Sequence, residues 1–198
     1  MSAPGLGDIT LEGNAVRLEP LRREHVDALC EVALDPGLWR WTLSRVHTRA
    51  DMERYVERAL TLREAGGAHP FATIERRSGR VVGSTRFQPI EAEHRRLEIG
   101  YTFVARPWQR TAVNTEAKYL MMKHAFEVMR MHRVEFKTDV LNTTSRTALL
   151  RIGATEEGVL REHSITADGR IRDTIYYSVL EQEWPEVCAS LERRLRDA

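Results

Sequence analysis

The stretch Leu97-Glu98-Ile99-Gly100-Tyr101-Thr102-Phe103-Val104 decides the fold. Leu97, Ile99, Tyr101 and Phe103 fall on one side of an extended chain, and Glu98, Gly100 and Thr102 on the other. That alternation reads as a strand over Arg96–Val104, ended by Pro107. After a loop, Ala117, Leu120, Met121, Ala125, Val128 and Met129 recur at helical spacing, which predicts a helix over Thr115–Arg130. Arg133–Val140 alternates again as a strand. Strand, long helix and strand in this order form a βαβ unit, whose two strands lie parallel.

Outward from this unit the chain is regularly punctuated. On the N-terminal side Ala15–Glu19 reads as a strand and Arg22–Leu34 as a helix, with Val26, Leu29, Cys30 and Ala33 on one stripe. Pro36 and Gly37 break that helix, and an aromatic connection, Leu38-Trp39-Arg40-Trp41, follows. Thr48 caps a second helix, Arg49–Ala65, with Asp51 supplying the reciprocal carboxylate. Strands Phe71–Glu75 and Arg80–Phe87 flank a Ser78-Gly79 turn. On the C-terminal side Thr143–Ile152 is a short helix closed by Gly153, and strands Ala154–Glu162 and Arg170–Leu180 flank Ala167-Asp168-Gly169. A last helix, Glu183–Arg196, has Pro185 near its start. Hairpins on both sides of a βαβ unit predict an α/β (α+β) fold with a mixed sheet flanked by helices.

The length of 198 residues suits a single domain, 1–198, with its core at about 15–180. Thirty basic and 29 acidic residues leave a net charge of +1, which argues against a nucleic-acid binder. No apolar run has the length of a membrane span, and Met1–Gly13 lacks a basic-then-apolar leader, so a cytoplasmic protein is expected. Cys30 and Cys188 read as reduced packing thiols, and no Cys/His spacing suggests a metal.

The loop Pro107-Trp108-Gln109-Arg110-Thr111-Ala112-Val113-Asn114-Thr115-Glu116-Ala117 joins a strand to a strong helix. The unpaired first N–H groups of such a helix, with the positive end of its dipole, can gather an anion. Many turns of this kind merely connect elements.

Several runs stand in order along Ala15–Leu180. They are Leu97-Glu98-Ile99-Gly100-Tyr101, Trp108-Gln109-Arg110-Thr111-Ala112-Val113-Asn114, Asn142-Thr143-Thr144-Ser145, Leu149-Leu150-Arg151-Ile152-Gly153-Ala154 and Glu157-Gly158-Val159-Leu160-Arg161. Together they resemble the GNAT superfamily of N-acetyltransferases, in the branch of the ribosomal-protein alanine and serine N-acetyltransferases. The resemblance implies two central parallel strands splayed apart, with acetyl-CoA in the opening as cosubstrate and no metal. It implies that the pantetheine pairs with Leu97–Val104, including Tyr101 and Phe103, and that Gln109, Arg110, Thr111, Ala112, Val113, Asn114 and Thr115 hold the pyrophosphate. The family's loop reads Gln/Arg-x-x-Gly-x-Gly/Ala. Here Gln109 matches, while Ala112 and Asn114 replace the two small residues. Alanine keeps the N–H but restricts φ, so the loop works only if residue 112 is helical. Asn114 is expected to cap the helix that follows.

The resemblance also implies that Asn142 contacts the pantetheine arm, though locally it reads equally as a helix cap. Glu98 is implied as the base that deprotonates a primary amine; the plainer reading is a solvated or salt-bridged strand carboxylate. A strand N–H near Tyr101–Phe103 would steady the oxyanion. Many members place a tyrosine acid where Leu149 stands here, which leaves Ser145 as candidate acid or as a helix-start residue. Trp39 and Trp41 are either acceptor-binding walls or anchors of a helix corner. The implied reaction is transfer of acetyl to a protein N-terminus or a small amine by direct attack in a ternary complex. The alternative is a non-catalytic acyl-CoA-binding regulator. Homodimerisation is left open.

Overall fold

The structure is a computed structural model that describes residues 7–197; residues 1–6 and 198, the outer edges of the expected domain, lie outside it. Eight strands form one sheet: β1 Leu11–Glu12, β2 Val16–Pro20, β3 His69–Glu75, β4 Val81–Glu91, β5 Arg96–Val104, β6 Arg133–Asp139, β7 Thr155–Ile165 and β8 Ile171–Leu180. Their spatial order is β1-β2-β3-β4-β5-β6-β8-β7. Every neighbouring pair is antiparallel except β5 and β6, the parallel pair of the βαβ unit.

Among the described residues five α-helices cover the sheet: α1 Val26–Ala33, α2 Arg49–Glu64, α3 Ala112–Lys123, α4 Thr143–Arg151 and α5 Trp184–Arg196. Thr48 and Asp51 form the expected capping box on α2. Strand alternation divides the core in two. Phe71, Val82, Leu97, Ile99 and Phe136 pack with α3 and α5, while Ala72 and Phe103 pack with α1 and α2. The helix expected at Thr115–Arg130 begins three residues earlier, at Ala112, and ends in a π-helical turn over His124–Val128. The two-residue β1 is too short to leave a periodic trace, and the sequence gives no sign of it.

The faces of β5 differ from simple alternation. Arg86 of β4 opposes Gly100 and Ser84 opposes Phe103, so Thr85 alone faces the pair Tyr101-Thr102. Tyr101 has φ +49°. This bulge inserts one residue and reverses the facing of everything after it. Tyr101 therefore joins Glu98 and Gly100 on the α1/α2 side, Thr102 turns toward α3, and Phe103 enters the α1/α2 core. The expected grouping of Leu97, Ile99, Tyr101 and Phe103 holds only for the first two.

Candidate active site

The opening between β5 and β6 follows from that bulge. The two strands pair only at Arg96↔Arg133, Leu97↔Val134 and Glu98↔Glu135, although β5 runs on to Val104 and β6 to Asp139. Beyond Glu98 the backbones diverge, leaving the polar edges of β5 unpaired toward β6.

α3 begins at Ala112, after the short loop that leaves the far end of β5. Thr111 is its N-cap, and Thr111 Oγ1 accepts from Val113 N–H at 3.3 Å. The cap is therefore Thr111, and Asn114 lies inside the first turn with a buried Oδ1 that has no hydrogen-bond partner. Ala112 is the first helical residue, the conformation an alanine there requires. The left-handed residue of the loop is Arg110, at φ +62°, with its side chain exposed. Gln109 is turned away from the helix start, its Nε2 donating to the Val104 carbonyl at 2.9 Å. Thr115 is buried within the helix and Val113 belongs to the core. The first N–H groups of α3 lack partners within the helix, as at any helix start, apart from Val113 N–H, which Thr111 caps.

Glu98 lies where the strands part. It is 3% exposed, and its Oε2 accepts from Lys137 Nζ of β6 at 2.8 Å. A Cβ on Gly100 would meet Glu98 Oε1 at 2.5 Å, so glycine there makes room for the carboxylate. Burial pushes the Glu98 carboxyl above the usual range, with the Lys137 charge and hydrogen bond opposing it. Burial also acts to lower the Lys137 ammonium, but Glu98 more than restores it and leaves it raised.

A second lysine enters from the opposite face. Lys118 of α3 is 5% exposed and donates to Thr102 Oγ1 at 2.6 Å and Thr85 Oγ1 at 3.4 Å. Burial lowers its pKa to about 7, with Glu98, across the gap, pulling the other way. The sequence reading missed it. The only available signal was a lysine directly following the apolar Ala117 within the core helix.

Asn142 is the N-cap of α4; its Oδ1 accepts from Ser145 N–H at 3.1 Å, so its capping role is visible and Ser145 sits in the first turn. Leu149 is buried and part of the α3-side core.

Trp39 is a core residue. It is 5% exposed, its Nε1 donates to the Ala33 carbonyl at 2.7 Å, and its ring packs on Tyr55 and Phe103. The corner-anchor reading describes it, and the acceptor-wall reading is withdrawn for this residue. Trp41 is half-buried, with Arg40 and Arg170 guanidiniums over its ring at 4.5 and 5.6 Å. Its carbonyl accepts from Arg172 Nη1 of β8 at 3.4 Å, which ties the α1–α2 connection to the far side of the cleft.

One carboxylate braces the site from behind. Glu116 of α3 is buried and accepts from the N–H groups of Asn14, Ala15 and Val16 at 2.8, 2.7 and 2.8 Å. An open concavity lined by Glu93, His94, Arg95, Arg96, His132 and Arg133 lies toward the start of β5, away from the gap. Among the described residues no cluster of three or more His, Cys, Asp or Glu could hold a metal ion, and no helix is long and apolar enough to cross a membrane.

Parallel strands splayed beside a helix N-terminus, with a buried carboxylate at the fork, define an acetyltransferase architecture. Residues 15–155 match the acetyltransferase (GNAT) domain, and the chain belongs to that family. Its relatives include the putative ribosomal N-acetyltransferase YdaF of Bacillus subtilis, 32% identical over 54% of this chain and 57% of that protein. The likeness bears out the resemblance to the ribosomal branch. A GCN5-related N-acetyltransferase from Brucella melitensis superposes with a TM-score of 0.89 at 31% identity, over 97% of this chain and 87% of that one. Mycobacterium smegmatis RimJ, solved in complex with CoA-disulfide, shares the fold at 23% identity and a TM-score of 0.84, over 98% and 97% of the chains.

Proposed function

We propose that the protein transfers an acetyl group from acetyl-CoA to a primary amine by direct attack in a ternary complex. The observation that carries this reading is the placement of buried Glu98 at the last paired register of β5 and β6, where the gap opens toward the start of α3. The N–H groups opening α3, with Thr111, Ala112, Val113 and Asn114, would hold the pyrophosphate; the orphaned Asn114 Oδ1 fits a polar neighbour there. Arg110, exposed beside them, adds a cation, and Gln109 fixes the loop to β5. The free edge of β5 beyond Glu98, from Tyr101 to Phe103, offers backbone pairing to the pantetheine and an N–H to the developing oxyanion. Asn142 borders the same gap from the end of β6.

Glu98 takes the proton from the acceptor ammonium, directly or through one water, and its raised pKa makes it a stronger base than a free carboxylate. The amine nitrogen then forms a bond to the thioester carbon, the C–S bond breaks with its electron pair leaving on sulfur, and the second proton that the nitrogen sheds passes to the departing thiolate, directly or through water. A thiol is a good leaving group, so protonation by Ser145 contributes little to the rate. Trp41 borders the acceptor side. RimJ was solved with a CoA derivative, which supports the cofactor assignment. The reading includes a cytoplasmic, single-domain enzyme working without metal.

The test is an acceptor screen with acetyl-CoA that follows thiol release and confirms products by mass. Acetylated product with stoichiometric free CoA supports the reading. A melting shift with acetyl-CoA but no product from any amine overturns it in favour of an acyl-CoA-binding regulator.

A further inference from the structure

Two arginines on the α1/α2 side of the sheet have no carboxylate. Arg86 of β4 is 2% exposed and lies between the rings of Tyr55 and Tyr101, 4.8 and 4.2 Å from their centroids. Its Nη1 donates to Gln88 Oε1 at 3.2 Å, while Nε and Nη2 have no partner. Arg172 of β8 is 5% exposed; Nη1 reaches the Trp41 carbonyl and Nε has no partner. Thr174, two residues along the same face, has a buried Oγ1 that is also unpartnered.

These atoms lie on one face of the sheet. Ile175 and Tyr177 pack into the α3-side core, so Arg172, Thr174 and Tyr176 face the other way, as do Lys137 and Asp139 on the paired strand. Arg172 lies near enough to feel the charges of Asp139 and Glu98, and Lys137 those of Glu98, Tyr176 and Tyr101. The face therefore runs from Arg86 and Tyr101 past Glu98 and Lys137 to Tyr176 and Arg172. Of the seven buried side-chain atoms without a partner among the described residues, four belong to Arg86, Arg172 and Thr174.

Charge matching sharpens the point. Lys137 is paired with Glu98, and Arg170 with the fully buried Asp139. Neither Arg86 nor Arg172 forms a salt bridge with any described residue. Guanidiniums keep their protons. Two buried positive charges on the face of the proposed base are thus left without a counter-charge, Arg172 the nearer to Glu98, and native structures rarely leave such groups unmatched.

We propose that the acceptor amine carries its own carboxylate, held by Arg172 with Thr174 beside it and the Arg86 charge behind Tyr101, while its amine faces Glu98. This rests on the acetyltransferase reading and narrows its acceptor. The same surplus charge disfavours polyamines and amino-sugars, which bring only positive charge. The carboxylate belongs either to a free amino acid or to an acidic side chain near a peptide N-terminus; both present an ammonium and a carboxylate a few bonds apart.

The full-length protein is assayed with acetyl-CoA and four acceptor sets: α-amino acids, their carboxamides, serine-initiated peptides with Asp or Asn at the second position, and a diamine. The expected result is kcat/KM at least about tenfold higher for acid than for amide in one of the two paired sets, which identifies the source. The amide's amine is less basic and more readily free, so a preference for the acid runs against intrinsic reactivity. Arg172→Gln should bring that ratio near unity with the acetyl-CoA KM unchanged, and Arg172→Lys should keep part of it. Equal or better use of amides and the diamine by the natural protein overturns the proposal without recourse to any variant. So does a ratio that survives Arg172→Gln in a protein of unchanged melting temperature. If no amine is acetylated, the acetyltransferase reading falls by itself; calorimetry of acid against amide in the presence of acetyl-CoA then decides the carboxylate site separately, with equal affinity sinking it.

Discussion

Replacing Lys118 with Met should stabilise the protein in mild acid and destabilise it slightly in strong alkali. The folded-state pKa of about 7 stands against 10.5 for an unperturbed lysine. Between those values the unfolded chain binds the proton that the folded chain releases, so stability rises with pH across that window. Below pH 7 the buried ammonium costs the fold up to roughly 5 kcal/mol, an upper bound, and above 10.5 it costs nothing. Methionine matches the volume of lysine and removes the charge, while losing the bonds to Thr102 and Thr85, worth about 1 kcal/mol. Glu98 also loses an attractive neighbour, which returns part of the gain. Urea unfolding of both proteins at pH 6 and pH 9 isolates this group, because the other titrations largely cancel in the comparison. The advantage of Lys118→Met should be larger at pH 6 by roughly 3 kcal/mol. A difference that does not vary with pH would refute the reasoning, since it would mean that Lys118 titrates alike in the folded and unfolded chains.

Glu98→Gln should lower kcat roughly 100-fold near neutrality and leave the acetyl-CoA KM unchanged. The natural enzyme should lose activity as pH falls through the raised Glu98 pKa, and a pH–rate profile of the variant with that limb intact would remove Glu98 as base. Ala112→Asp places a carboxylate at the start of α3, which a helix N-terminus tolerates; calorimetry should nonetheless show acetyl-CoA binding weakened roughly tenfold or more by repulsion. Trp39→Ala should cost about 3–5 kcal/mol in denaturant unfolding, whereas Trp41→Ala should raise the acceptor KM several-fold with little change in melting. The reverse assignment of effects would exchange the roles of the two rings.

What the sequence displayed and what it concealed divide along a physical line. Features set by neighbouring residues were legible: the Thr48–Asp51 capping box, the full span of β5, and Gly153 with its φ of +89°. Glu98 was singled out by the resemblance, and alternation gave its facing, because the register up to the bulge is regular. Beyond Gly100 the alternation misleads, since one inserted residue reverses the facing of Thr102 and Phe103, and no local pattern marks Tyr101 as left-handed. The loop was expected to work with residue 112 helical, and Ala112 is helical; the left-handed residue is Arg110, which no local pattern marks. Lys118, Arg86 and Arg172 were invisible for another reason. The chain has 30 lysines and arginines, and burial of three of them is decided by strands and helices distant in sequence.

Glu116 ties the beginning of the described chain to α3 across about a hundred positions. Its carboxylate stands little more than a turn from the end of α3 that is meant to attract an anion, where a bare negative charge would work against that task. Three N–H groups drawn from Asn14 to Val16 spread and anchor that charge. On the proposed reading, the short β1–β2 segment would act as an electrostatic shield for a pyrophosphate at the start of α3. A cut or fusion that displaced residues 14–16 would be felt first as weaker grip on pyrophosphate, before any loss of the core.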